Sequence, residues 1–246
     1  HLILQEDAFD EAIRRSLDYV KAHPKLVTLG VRPSRPETGY GYIQFTDCED
    51  EHFVKVKTFT EKPNIEMAKV FYESGEFLWN SGMFAWNVQT ILDAFHQYLP
   101  SLTSILDEVK GDYATDREQG RVSEVFSECT NISIDYAVLE KADNVMVLPV
   151  DFGWADLGTW GSLYELKREE PRANVALHTK ALFYEAEGNI VSLDGDPEKQ
   201  LVVVQGINDC IVAQSKGVLL ICKRDEEQRI KDFMGEASVQ FDKKFD

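Results

Sequence analysis

The apolar positions of this chain change their pattern near Pro171. Before it, stretches with apolar residues three and four apart alternate with short continuous apolar runs; after it, short β-rich runs dominate. Phe9, Ile13, Leu17 and Val20 share one face of a predicted helix that Asp7 can cap and His23-Pro24 ends. Leu26 to Gly30 reads as a buried strand. Tyr40 to Phe45 and Val54 to Phe59 read as two strands of a hairpin, joined by the acidic turn Asp47 to Glu51. Pro63 opens a helix with Met67, Val70 and Phe71 inward. Phe84 to Trp86 is strand-like, and Val88, Ile91, Leu92, Phe95 and Leu99 line one face of a helix ended by Pro100. The polar stretch Asp107 to Ser123 reads as a surface excursion. A helix at Ile134 to Lys141, a strand at Val145 to Pro149 and a helix at Trp160 to Arg168 complete an α/β pattern, a sheet with helices packed on it.

From Asn174 the runs are Val175–Leu177, Ile190–Leu193, Leu201–Val204, Cys210–Val212 and Val218–Cys222, with Gly188, Gly195, Gly206 and Gly217 in the polar turns. Their spacing, about 8–12 residues, is that of an all-β module. A last helix is expected from Asp225 to Met234. The reading is two domains, 1–170 and 171–246, with no strict internal repeat.

Composition narrows the function. The chain has 246 residues, 43% of them hydrophobic, enough to bury a core. Its net charge of −17 argues against nucleic acid or an anionic membrane as a partner, since both need basic patches. No apolar run reaches the roughly 20 residues that span a bilayer, and no signal peptide is visible. Four scattered cysteines without a CxxC pair fit reduced thiols in the cytoplasm. The five histidines have no metal-ligand spacing, and no Ser/His/Asp or Cys/His nucleophile signature occurs. The chain opens at His1-Leu-Ile-Leu without methionine and reads as a piece of a longer protein.

Four short motifs carry candidate chemistry. In Pro36-Glu-Thr-Gly-Tyr-Gly-Tyr-Ile43, Gly39 and Gly41 let the backbone approach a ligand, or simply enter a hairpin. In Glu61-Lys62-Pro63, the lysine can clamp a phosphate and the glutamate can accept two sugar hydroxyls; the alternative is a solvated ion pair. In Trp79-Asn80-Ser81-Gly82-Met83-Phe84, an amide between aromatics suits a sugar stacked on a ring and read by hydrogen bonds, or an asparagine satisfying a turn. In Asp151-Phe-Gly-Trp-Ala-Asp156-Leu-Gly-Thr-Trp160, Asp156 can hold a divalent cation or cap the following helix. Asp135 reads as structural support.

In order and spacing these motifs, together with His1-Leu-Ile, Leu26-Val-Thr-Leu-Gly30, Phe59-Thr-Glu-Lys-Pro63 and Ile134-Asp-Tyr, resemble the mannose-1-phosphate guanylyltransferases. The resemblance implies a partial Rossmann-like, glycosyltransferase-A-like nucleotidyltransferase domain and a C-terminal module of left-handed β-helix-like form. It implies synthesis of GDP-mannose and pyrophosphate from GTP and mannose 1-phosphate, with Mg²⁺ as cofactor. Carried over by motif, Lys62 holds the sugar phosphate, Glu61 the mannose hydroxyls, and Asn80, Gly82 and the Gly41 backbone line the same ring; Asp156 holds the metal. The family's glycine-rich signature and a further aspartate before the histidine matching His1 are absent from this sequence. The chain alone is therefore expected to be inactive, and a second copy is expected to cover its apolar sheet edge as a homodimer. Two alternatives stay open: another sugar-1-phosphate nucleotidyltransferase, and a non-catalytic sugar-phosphate-binding module.

Overall fold

The computed structural model describes residues 1–46 and 52–241; the expected acidic turn from Asp47 to Glu51 lies outside them. By their contacts the residues fall into two compact units, Ile3–Trp154 and Ala155–Asp246 with His1–Leu2.

In chain order the first part comprises β1 (Leu2–Ile3), α1 (Glu6–Ala22), β2 (Leu26–Val31), β3 (Tyr42–Phe45), β4 (Val54–Thr60), α2 (Ile65–Ser74), β5 (Phe77–Ala85), α3 (Val88–Tyr98), α4 (Pro100–Asp107), α5 (Glu118–Phe126), a π-helical turn (Asp135–Leu139), β6 (Val145–Val150) and β7 (Trp154–Ala155). Five strands pair in the ring β2-β5-β3-β4-β6. β2 and β6 are parallel; the other pairs are antiparallel, so the sheet is mixed.

Alternation along the strands decides what each face meets. Leu26, Val145 and Val147 point into one core with Ile91 and Ala94 of α3 and with Ala137–Leu139 of the π-helical turn. Val27, Leu29, Met146 and Leu148 point the other way, against Ala12 and Val20 of α1 and against Phe152. Both faces are covered, which is why β2 and β6 read as nearly continuous apolar runs.

Several helix details differ from the sequence reading. α1 starts at Glu6, so Asp7 sits in the first turn, where an acid favours the helix dipole, and does not cap it. Its buried stripe is Ala12, Ser16 and Val20, leaving Leu17 exposed. Asn64 caps α2 by accepting the Met67 N–H, and Ala68 and Phe71, not Met67 or Val70, face inward. The supposed surface excursion contains the fully buried Val109 and the start of α5.

The second unit holds α6 (Trp160–Lys167), β8 (Val175–Leu177), β9 (Lys180–Tyr184), β10 (Ile190–Leu193), β11 (Leu201–Gln205), β12 (Cys210–Ser215), β13 (Val218–Lys223), a 3₁₀ turn (Arg224–Arg229) and α7 (Ile230–Gln240). β8, β10 and β12 pair in parallel in one sheet; β9 and β11 pair in parallel in another, so the chain winds between two sheets. β13 ends the larger sheet with an antiparallel pairing. β9 was not expected from the sequence; its burial alternates, Ala181 and Phe183 facing inward and Leu182 and Tyr184 facing solvent. Packing assigns α6 to this unit: Tyr164 is buried with Val175, Ile190 and Ile211, its hydroxyl donating to Ala173 O at 2.9 Å.

A buried asparagine ties successive coils together. The Asn189 amide donates to Asn174 Oδ1 (2.9 Å) and Ile207 O (2.8 Å), and its Oδ1 accepts the Cys210 N–H (3.0 Å). Truncation leaves backbone groups of Ile207 and Cys210 unpaired. Asn189→Ala is expected to destabilise this unit by about 3 kcal/mol, read from the urea midpoint; a loss under about 1 kcal/mol would contradict that role.

Candidate functional site

Strand register gathers the site. Tyr42 lies opposite Thr60 on β4 and opposite Trp79 on β5. One step along, Gly41, Glu61 and Asn80 therefore form the adjacent row across the same three strands, and Gly30 opposite Asn80 extends it to β2. Because neighbours alternate, this row faces away from Tyr42 and Trp79, which are buried in a cluster with Tyr40 and Ala68. That is why Trp79 cannot be the stacking platform expected beside Asn80: strand pleat puts its ring on the opposite face.

The row is tight at Gly41. A β-carbon there would collide with Glu61 Oε2 and stand 3.3 Å from the Asn80 Cβ. Its carbonyl accepts the Asn80 N–H at 2.8 Å. The preceding carbonyl, Tyr40 O, accepts the Lys62 N–H at 3.2 Å. The glycine segment thus holds the backbones of both other motifs. Lys62 itself sits in the left-handed region (φ 47°), a conformation a non-glycine residue adopts only when its surroundings impose it.

Glu61 and Lys62 divide the environment between them. The Glu61 side chain is 11% exposed and that of Lys62 58%, with Nζ 3.2 Å from Oε1. This is not a freely solvated pair: the acid is enclosed while the ammonium reaches solvent. Burial pushes the Glu61 carboxyl above its ordinary range, although Lys62 pulls it down; the charges of Asp135 and Glu140 add to the rise.

Asn80 is held from three sides. Its Oδ1 accepts from Thr28 Oγ1 (2.9 Å) and from the Gly82 N–H (3.3 Å), and its Nδ2 donates to Asp135 Oδ1 (3.1 Å). The geometry arises at an irregularity in β5: two steps on β2, Thr28 to Gly30, correspond to four on β5, Phe84 to Asn80. Such a bulge re-aims side chains, and Gly82 takes it up with φ 71°. Asp135 lies in the π-helical turn, a geometry frequent at functional sites. Sequence reasoning gave Asp135 structural support and overlooked Thr28. The available signal for Thr28 was a hydroxyl inside the otherwise apolar run Leu26 to Gly30.

Asp156 belongs to the other unit. It is half-buried and its Oδ1 accepts the Gly158 N–H at 2.9 Å. It does not cap α6; Thr159 does, its Oγ1 accepting the Ser162 N–H at 3.1 Å. Among the described residues no group of three or more His, Cys, Asp or Glu side chains could hold a metal. A single carboxylate still fits magnesium, which proteins commonly hold through one or two carboxylates with substrate phosphates completing the shell.

Residues 1–172 match the family model described as nucleotidyl transferase. The chain is 36% identical over 236 residues to mannose-1-phosphate guanylyltransferase of Escherichia coli K12, an alignment covering 94% of this chain and 48% of that protein. It is likewise 36% identical to mannose-1-phosphate guanylyltransferase ManC of Salmonella typhimurium, with the same coverage. The chain thus spans about half the length of the curated relatives it matches. The crystal structure of mannose-1-phosphate geranyltransferase from Thermus thermophilus superposes with a TM-score of 0.78 at 28% identity, covering 96% of this chain and 67% of that one. Among the described residues no helix is long and apolar enough to cross a membrane.

The raised Glu61 carboxyl gives a signed expectation. With its folded value above the ordinary 4.5, the folded state binds the proton more tightly, so stability present at low pH is lost as pH rises from about 4.5 through the folded value. Denaturant midpoints of the wild-type chain and Glu61→Gln, followed across that window, should differ in slope, the variant losing less. Parallel curves would contradict the burial argument.

Proposed function

The chain belongs to the nucleotidyl transferase family, and from that premise we propose that it supplies the sugar-phosphate side of a protein making GDP-mannose and pyrophosphate from GTP and mannose 1-phosphate. The observation that carries the reading is the division at Glu61-Lys62: an enclosed carboxylate beside a solvent-reaching ammonium, in one row with Asn80 and a glycine. An enclosed acceptor suits the hydroxyls of a sugar ring. A projecting cation suits the phosphate attached to that ring. The identity with guanylyltransferases supports mannose and guanine as the sugar and base.

In this reaction a phosphate oxygen of the sugar phosphate attacks the α-phosphorus of GTP, and the bond to the bridging oxygen of pyrophosphate breaks. No covalent enzyme intermediate is needed, so the protein acts by positioning and charge neutralisation. Lys62 would orient the phosphate and offset its charge. Glu61 would accept hydrogen bonds from the sugar hydroxyls, which would favour its ionised form and offset the cost of its burial. Asn80, fixed by Thr28 and Asp135, retains a second amide hydrogen for the ring, and Gly41 and Gly82 would line it. Asp156 is the proposed carboxylate for Mg²⁺, which when bound would neutralise charge on the nucleotide phosphates. A cytoplasmic location, supported by the cysteine usage, and a homodimer belong to the same proposal, but the apolar sheet edge that the second copy was expected to cover is not found among the described residues: the five strands of the first unit close into a ring in which each has two partners.

The test is pyrophosphate release from GTP and mannose 1-phosphate by a protein of the relatives' length that contains this chain. Lys62→Met is expected to raise the KM for mannose 1-phosphate by about 10- to 100-fold and Asp156→Asn to remove most turnover. An unchanged KM in Lys62→Met would overturn the role of that residue; absence of turnover with any nucleotide and sugar phosphate would overturn the enzymatic reading.

A further inference from the structure

The most enclosed carboxylate near the row is not one that touches it. Glu37 is 6% exposed, yet it lies on the loop between β2 and β3. A charge so buried must be compensated, and here the compensation comes from its own loop. Oε2 accepts from both Arg35 Nε (3.2 Å) and Arg35 Nη2 (2.9 Å), and Oε1 accepts the Gly39 N–H (2.9 Å). The Glu37 N–H donates to the hydroxyl of Tyr42 (2.8 Å), a side chain with no exposure. One residue thereby ties positions 35, 39 and 42 together. The Arg35 guanidinium that it anchors lies 5.3 Å from the Trp79 ring centre, and Trp79 meets Tyr40 edge-on.

What this loop delivers is the pair of carbonyls at Tyr40 and Gly41, which accept the Lys62 and Asn80 N–H groups. We propose that Glu37 is a positioning residue for the sugar phosphate, acting through the Gly39–Gly41 backbone to set the row of Glu61, Lys62 and Asn80. The proposal rests on the sugar-phosphate reading of that row. The charge matters as well as the shape. A glutamine offers one acceptor oxygen, so either the Arg35 contact or the Gly39 N–H contact to residue 37 is lost, and the amide hydrogens face that donor. An aspartate keeps both oxygens and the charge on a shorter stem.

The experiment measures KM for mannose 1-phosphate and for GTP, and kcat, in a protein of the relatives' length that contains this chain, with thermal melting of each variant alongside. Glu37→Gln is expected to raise the mannose 1-phosphate KM about tenfold while the GTP KM stays within about twofold. Glu37→Asp is expected to recover part of that loss. Should Glu37→Gln fail to fold, Arg35→Gln, which removes the other half of the pair, is read in the same way. A sugar-phosphate KM equal to wild type in the folded variant, or equal rises in both KM values tracking a lowered melting temperature, would overturn the positioning role and leave the sugar-phosphate reading standing. A wild-type protein that turns over GTP with a different sugar phosphate, or shows no saturation by mannose 1-phosphate, would overturn that reading and the inference with it.

Discussion

The carboxylate of Glu61 fills the space that a side chain at position 41 would need, and the rest of the site is arranged around that contact. With no β-carbon at 41, β4 and β5 can both pair with β3 while their row of site residues closes to van der Waals distance. The carbonyl of Gly41 then fixes Asn80, and the carbonyl of Tyr40 fixes Lys62 in a backbone conformation it would not choose alone. Enclosing the acid disfavours its charged form, and Lys62 only partly offsets this. Such a frustrated acceptor is suited to a ligand that brings hydroxyl donors, because binding then relieves a cost that folding imposed.

The fold supports this row by covering the sheet twice. α1 takes one face of β2 and β6; α3 and the π-helical turn take the other. The same turn that buries Ala137, Val138 and Leu139 carries Asp135 to the Asn80 amide, so packing and polar order share one element. In the β-rich unit a comparable economy holds: Asn189 fills the interior between coils and satisfies the backbone there.

Much of this was legible in the sequence. The strands β2, β3, β4 and β6 announce themselves as apolar runs between turn residues, but the register that places Gly41 beside Glu61 could not be counted, because the pairing of β3 with β4 shifts between Gln44 and Phe45. Glu61 and Lys62 stood out as a charged pair at a strand end, and Asn80 as an amide between aromatics and a glycine. What could not be read is tertiary. That Trp79 is buried away from Asn80 follows from strand pleat once the length of β5 is known, and the short reading of that strand hid it. Thr28 and Asp135 meet Asn80 across 52 and 55 residues of sequence, through the bulge at Gly82. The cap of α6 falls to Thr159, the residue directly before Trp160, and not to Asp156, which lies three residues further back and accepts the Gly158 N–H. The exposure of Met67 and Val70 reflects which face of α2 the sheet covers, a choice periodicity alone leaves open.

The most direct test of the central contact is calorimetric titration of this chain and of Gly41→Ala with mannose 1-phosphate, with circular dichroism to establish that both are folded. The account predicts that the methyl group displaces the Glu61 carboxylate and weakens binding by at least about tenfold without loss of the fold. Equal affinity in the two folded proteins would contradict it, since the row could then form with position 41 occupied.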